Sequence, residues 1–169
     1  MILKLIPSYN LGFQNISLAN KKYYVLSIIF TILNIVTPIF FHQFGMGGPM
    51  FLPIYFFVLI GGYKYGWKVG VLTALLSPTI SHFITGMPNI VILDIIIIKG
   101  VLLGLISGYI GFKTNKLSLI NLIYIVVIYQ LLGSIYEMSI NDIVIGYPGL
   151  LLQIFGGYYL IKIINKYDI

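Results

Sequence analysis

Residues 90–110 read IVILDIIIIKGVLLGLISGYI, an apolar run in which only Asp94 and Lys99 are charged. About 20 apolar residues in a helix cross the ~30 Å hydrocarbon layer of a bilayer. A helix is expected for such a run in lipid, because an open strand would leave its backbone groups without hydrogen-bond partners. The stretch therefore predicts a transmembrane helix.

Five further apolar runs lie before and after this one. They are too long and too continuous for the alternating strands of a transmembrane barrel. We predict an all-α membrane protein with six transmembrane helices, forming one domain over residues 1–169. The helices are expected at roughly 24–41, 50–62, 67–84, 90–110, 118–135 and 143–164.

The composition excludes several classes of protein. Of the 169 residues, 59% are hydrophobic and 8% are charged, which is more apolar surface than a soluble domain of this length can bury. The net charge of +6 is interpreted as lysines beside anionic lipids, not as a nucleic-acid surface. The chain has no cysteine, so disulfides and thiolate metal sites are excluded.

The lysines predict the orientation of the bundle. The chain has no arginine, and nine of its ten lysines lie in alternate connections or near the termini. Cytoplasmic segments of membrane proteins are enriched in lysine and arginine, so both termini are predicted to be cytoplasmic. The outer connections are then 42–49, 85–89 and 136–142. The nine lysines are Lys4, Lys21, Lys22, Lys64, Lys68, Lys113, Lys116, Lys162 and Lys166.

Polar side chains within the runs are concentrated toward the outer side. With a rise of ~1.5 Å per residue, Lys99 lies about 13 Å and Gln153 about 15 Å below the outer surface. Tyr129 lies in the same outer half, whereas the inner half is mostly apolar. The pattern predicts a pocket that opens outward. Its candidate ligand-binding residues are Asn34, His82, Asn89, Asp94, Lys99, Gln130, Glu137, Tyr147 and Gln153.

Lys99 is the most informative of these residues. An ammonium at the bilayer midplane costs at least ~3 kcal/mol, which favours a functional role or a structural ion pair. Asp94 is five residues away, about 140° around the helix, so the two side chains do not share a face. Lys99 is therefore expected to meet a ligand anion or Gln153. Glu137 is interpreted alternatively as a solvated loop residue.

Several other candidates also have structural alternatives. His82 is interpreted either as a ligand contact or as a satisfied histidine at the membrane interface. Asp94 is close enough to the surface to be hydrated. Asn34 and Gln130 are as well suited to hydrogen bonds between helices as to ligand binding.

Small residues form two stripes. They recur at four-residue intervals on the fourth run (Gly100, Gly104, Gly108) and on the first (Ser27, Thr31). Such spacing lets helix backbones approach closely. The stripes predict either packing within the molecule or docking to another membrane subunit.

Catalytic motifs are not found in the sequence. Two histidines and four acidic residues make a catalytic metal site unfavourable, and there is no His-Glu-x-x-His, Gly-x-Ser-x-Gly or Walker A motif. We predict no catalytic residues, no cofactor and no ATPase activity.

Three segments resemble a known transporter family. They read GGPMFLPI (47–54), LIGGYKYG (59–66) and LSPTISHFITGMP (76–88). Together they are similar to the S component, the substrate-binding membrane subunit, of bacterial energy-coupling factor (ECF) transporters for vitamins. The family's Ala-x-x-x-Ala docking pair on the first helix is replaced here by Ser27 and Thr31.

The resemblance implies a function and partners. S components lie in the bacterial plasma membrane and bind one small, water-soluble nutrient near the outer face. They deliver it with a scaffold membrane subunit and two ABC ATPases. Many relatives carry an acidic residue on the fourth helix where this chain has Lys99, which implies a carboxylate ligand.

Two other functions are kept as alternatives. A membrane-embedded enzyme would bring at least two of His82, Asp94 and Lys99 to one reacting site. A structural membrane subunit would tolerate the loss of Lys99.

Overall fold

The computed structural model describes residues 8–43 and 52–167, with every side chain in these ranges except those of residues 41–43 and Asp142. Most of the predicted outer connection 42–49 lies outside the described residues. Lys4 and residues 47–51 of the first resemblance segment also lie outside them.

The helices agree in position with the six predicted runs. They are α1 (Lys21–Gln43), α2 (Phe56–Tyr65), α3 (Trp67–Thr85), α4 (Ile90–Thr114), α5 (Leu119–Glu137), α6 (Asn141–Leu151) and α7 (Gly157–Lys166). A 3-10 turn at Pro53–Tyr55 precedes α2, and a π-helical segment at Leu152–Gly156 joins α6 to α7 without a break. We call α6, the π segment and α7 together the sixth rod.

Within residues 8–43 and 52–167, four helical segments are long and apolar enough to cross a membrane: Lys21–Phe40, Ile90–Thr114, Leu119–Glu137 and Ile143–Lys166. They coincide with the first, fourth, fifth and sixth predicted runs. The helix α2 has only 10 residues, about 15 Å of helix, and α3 carries several hydroxyl side chains. The structure therefore has helices at all six predicted runs and segments suited to membrane crossing at four of them.

Glycines allow α3 and α4 to pack closely. A Cβ atom on Gly104 would lie 2.8 Å from the carbonyl carbon of Gly70, and one on Gly108 would lie 2.3 Å from the backbone nitrogen of Trp67. Gly100 also faces α3. The stripe Gly100, Gly104 and Gly108 therefore packs within the molecule. The prediction that it docks a partner is corrected, because α3 covers it.

The N-terminal segment 8–20 crosses one end of the bundle, which we call the lysine end. Its strand β1 (Tyr9–Asn10) pairs antiparallel with β2 (Lys116–Leu117), which follows α4. Leu11 and Ile16 are buried there. This segment was not predicted from the sequence, because its residues show neither a helical nor a strand period.

Lys64 is a buried residue of α2, 4% exposed, although the sequence analysis placed it in a connection. Its Nζ donates hydrogen bonds to the carbonyl oxygens of Leu11 (2.9 Å) and Gly12 (3.0 Å) and to Oδ1 of Asn165 (2.6 Å). An ammonium has three protons to donate, and these acceptors come from the N-terminal segment and α7. Lys64 thus fixes the N-terminal segment against two helices.

Replacing Lys64 with methionine is expected to release the N-terminal segment from the lysine end. Hydrogen bonds to a charged donor contribute ~1.5–3 kcal/mol each, and the variant loses those to Leu11 and Gly12. We expect faster amide hydrogen exchange and new protease cleavage within residues 8–20. Lys21→Met, which removes the same charge from an exposed side chain, is the control. Equal protection in the two variants would contradict this role of Lys64.

Candidate functional site

Polar side chains from α4, α5 and the sixth rod meet inside the bundle. Five of them are 0–8% exposed, and the side chain of Glu137 is 20% exposed. We call this group the polar cluster. Its members are Lys99, Tyr129, Gln130, Ser134, Glu137 and Gln153.

An ion pair between Lys99 of α4 and Glu137, the last residue of α5, joins the two helices in the cluster. The stem of Lys99 lies against Gly133, where a Cβ atom would come within 2.6 Å of Lys99 Cγ and 2.8 Å of Cε. Gly133 therefore provides the space through which the lysine reaches the carboxylate.

The spacing of residues on α5 gives the cluster its shape. Gln130, Gly133, Ser134 and Glu137 occupy positions i, i+3, i+4 and i+7, which share one face of a helix. The predicted fifth run ended at residue 135, whereas α5 continues to Glu137. Because α5 extends to Glu137, the carboxylate of this residue lies on the same helix face as Gln130 and Ser134.

The contact that the structure shows for Lys99 is this ion pair with Glu137, the structural alternative of the sequence analysis, and not a contact with Gln153. Binding of a ligand anion by Lys99 stays a prediction. Glu137 is also not the solvated loop residue of the alternative interpretation, because it belongs to α5 and binds Lys99. Asp94 is exposed and accepts a hydrogen bond from its neighbour Ile95 N (2.8 Å). This arrangement agrees with the prediction that Asp94 and Lys99 do not share a face.

Several buried polar atoms of the cluster have no hydrogen-bond partner within the described part of the chain. They are Oε1 and Nε2 of Gln130, Oγ of Ser134 and Nε2 of Gln153. Each unsatisfied buried group costs ~1–3 kcal/mol. Oε1 of Gln153, by contrast, accepts a hydrogen bond from the Tyr129 hydroxyl at 2.9 Å.

The π-helical segment positions Gln153. A π segment takes more residues per turn than an α-helix, which changes the phase of the residues that follow, and such segments are frequent at functional sites. Pro148 lies one turn earlier in α6, and it cannot donate the backbone hydrogen bond of a regular helix. Gln153 is thereby fully buried beside Tyr129. This π segment was not predicted from the sequence.

The remaining candidates lie outside the cluster. Asn34 is buried and satisfied, because Nδ2 donates to Ser77 Oγ (3.4 Å) and Oδ1 accepts from Phe57 N (3.1 Å). His82 Nδ1 forms a hydrogen bond with the carbonyl oxygen of Pro88 (2.8 Å). These two residues thus have contacts that organise the fold.

Two further candidates are on the surface. Asn89 caps α4 by accepting a hydrogen bond from Val91 N (3.1 Å). Tyr147 is 59% exposed. The structure therefore pairs Lys99 with Glu137, places Gln130 one turn from Gly133 on the same face of α5, and joins Gln153 to Tyr129 of that helix. Asn34, His82, Asn89, Asp94 and Tyr147 make none of these contacts. Ser134 was missed, although its spacing from Gln130 and Glu137 could have indicated it.

No protein-family model, curated protein or solved structure matches this chain. Within the described residues, no group of three histidine, aspartate or glutamate side chains could hold a metal ion. The polar cluster is therefore interpreted from its own contacts.

The two residues of the second predicted docking stripe, on α1, have different surroundings. Ser27 is fully buried and donates a hydrogen bond to Tyr23 O (2.8 Å), so it does not face a partner. Thr31 lines an apolar surface groove between α1 and α3. Another groove, lined by residues that include Trp67 and Tyr109, lies between α3 and α4. Neither groove includes a residue of the polar cluster.

Proposed function

We propose that this chain is the substrate-binding S component of an ECF-type importer, which captures a small, water-soluble, vitamin-like nutrient. The observation that carries the proposal is a set of unpaired hydrogen-bonding atoms, on Gln130, Ser134 and Gln153, buried between apolar helices. Lipid tails cannot satisfy such atoms, whereas a polar solute bound among them can.

The alternatives have less support. A hydrolytic or transfer enzyme was expected to combine at least two of His82, Asp94 and Lys99, but these residues have separate surroundings. A structural subunit gains nothing from unsatisfied buried amides, because apolar residues of similar volume pack there without a desolvation penalty. A ligand-binding role explains why such groups are present.

The proposed topology follows the lysine distribution. Helices α1 to α5 and the sixth rod all lie within the bacterial plasma membrane, and both termini lie on the cytoplasmic side with the lysine end. The polar cluster then lies in the outer half, and Glu137 is its member nearest the outer connection 138–140. The nutrient enters from the outside, and transport requires a scaffold membrane subunit and two ABC ATPases, with no cofactor bound to this chain.

Native mass spectrometry of the tagged protein, extracted gently from its own membrane, tests this function. We expect a non-covalent small-molecule adduct on the wild-type chain and two ATPase subunits in the same purification. The matched control is a Gln130→Leu/Gln153→Leu variant, which should lose the adduct but keep the ATPases. A wild-type protein with no adduct beyond lipids that the variant also retains would overturn the proposal.

A further inference from the structure

The charge of the polar cluster limits what it can bind. Lys99 and Glu137 form a salt bridge, so the pair has no net charge. A carboxylate ligand would place an additional buried negative charge beside Glu137, and a buried charge without a partner is strongly unfavourable. A ligand carboxylate that contacts Lys99 would lie beside the Glu137 carboxylate that the same ammonium already binds, and the two like charges would repel each other. The cluster is therefore suited to an uncharged ligand.

The unpaired atoms determine which hydrogen bonds a ligand can form in the cluster. The amide of Gln130 presents one acceptor and one NH2 donor group, Gln153 adds a second NH2 donor group, and Ser134 adds a hydroxyl. A primary amide binds side by side to any edge that carries a donor next to an acceptor, as glutamine does when it binds the edge of adenine. The complementary ligand edge is an amide, a lactam or a ureide.

Aromatic side chains lie next to these amides. The ring of Tyr129 is 5.9 Å from that of Tyr55, centroid to centroid, and both side chains are buried. The Tyr129 hydroxyl is already bound to Gln153, which fixes the orientation of the ring. Aromatic faces of this kind favour contact with a flat, partly apolar molecule.

We propose, on the basis of the proposed function, that the polar cluster selects an uncharged, planar compound with adjacent donor and acceptor groups, such as a lactam or ureide ring. Gln130 and Gln153 recognise its edge. The Lys99–Glu137 pair forms a neutral boundary of the site and excludes anions. This inference replaces the carboxylate ligand that the sequence analysis expected from Lys99.

Two small planar probes of similar size, one neutral and one anionic, test the ligand class. One is 2-pyridone, a neutral planar lactam, and the other is benzoate, a planar carboxylate. We expect millimolar 2-pyridone to raise the thermal unfolding midpoint of wild-type protein in detergent, and benzoate to leave it unchanged. Gln130→Leu should weaken the response to 2-pyridone by ~10-fold to ~100-fold in concentration, which corresponds to the loss of ~1.4–2.8 kcal/mol of hydrogen bonding.

The thermal stability of the Gln130 variants without ligand is a second measurement. Removing an unsatisfied buried amide should stabilise the protein, so Gln130→Leu is expected to raise its unfolding midpoint by ~2–4 °C or more. Asn34→Leu is the matched control, because the amide of Asn34 is buried but satisfied, and it should lower the midpoint. Gln130→Met serves as a second variant with a more flexible side chain.

The outcomes separate this inference from the proposed function. Stabilisation by benzoate, no response to 2-pyridone, or loss of stability in both Gln130 variants would overturn the inference. An anionic adduct on the native protein would also overturn it and leave the transport role intact. Absence of any specific adduct would instead remove the proposed function on which the inference rests.

Discussion

Replacing Glu137 with glutamine is expected to destabilise the protein by ~3–5 kcal/mol, the range for removal of one partner from a buried ion pair. The ammonium of Lys99 is fully buried, and the variant removes the carboxylate that balances its charge. Lys99→Met should cost less, because the Glu137 side chain is 20% exposed and water can solvate it. Unfolding midpoints in detergent, with denaturant titration for the free energies, measure both effects.

The double variant Lys99→Met/Glu137→Gln separates ion-pair formation from packing. Removing both charges should restore most of the stability lost in Glu137→Gln, because no buried charge is then left without its partner. Asp94→Asn, which neutralises an exposed carboxylate on α4, should change stability by less than ~0.5 kcal/mol. Additive losses in the double variant would show that Lys99 and Glu137 act independently.

Replacing Gly108 with alanine is expected to separate the ends of α3 and α4 and to cost about 3 kcal/mol, at the upper end of the range for overpacked interiors. The new Cβ atom would lie 2.3 Å from the nitrogen and 2.5 Å from the Cα of Trp67. These are backbone atoms, so no side-chain rotation can relieve the contact. The unfolding midpoint measured in detergent should fall accordingly.

Gly157→Ala, at the start of α7, is the matched control. Its Cβ atom would meet only the end of a flexible side chain, Leu59 Cδ2, at 3.0 Å. Alanine also has a higher helix propensity than glycine, by ~1 kcal/mol. We expect this variant to be as stable as wild type or slightly more stable. If Gly108→Ala were tolerated equally well, the close approach of α3 to α4 would not be required for the fold.

The helices could be predicted from the sequence because burial in lipid leaves a continuous apolar signal. The contacts between the helices could not be predicted, because these contacts depend on where each helix ends and how it is rotated. The end of α5 shows this, since a difference of two residues, from 135 to 137, changes Glu137 from a loop residue into the ion-pair partner of Lys99. The π segment at Gln153 likewise changes the phase of the sixth rod.

The candidate site was predictable in part for the same reason. Gln130 and Gln153 could be singled out because polar side chains are rare in apolar runs, and the structure places both in the cluster. The satisfied state of Asn34 was not predictable, because its partners Ser77 and Phe57 come from other helices. Buried Lys64 could not be distinguished from the exposed lysines, since two of its three acceptors belong to a segment with no periodic pattern and the third lies about 100 residues away.

The pairing of β1 with β2 also constrains the order of assembly. Phe13 N donates a hydrogen bond to Asn115 Oδ1 (2.9 Å), a residue 102 positions later in the chain. The earliest described residues therefore cannot reach their final position until α4 has emerged from the ribosome. Contacts this distant in sequence form late, because the intervening loop must close first. The N-terminal segment 8–20 is therefore made before α4 but can pack in its final position only after residues 115–117 have been made.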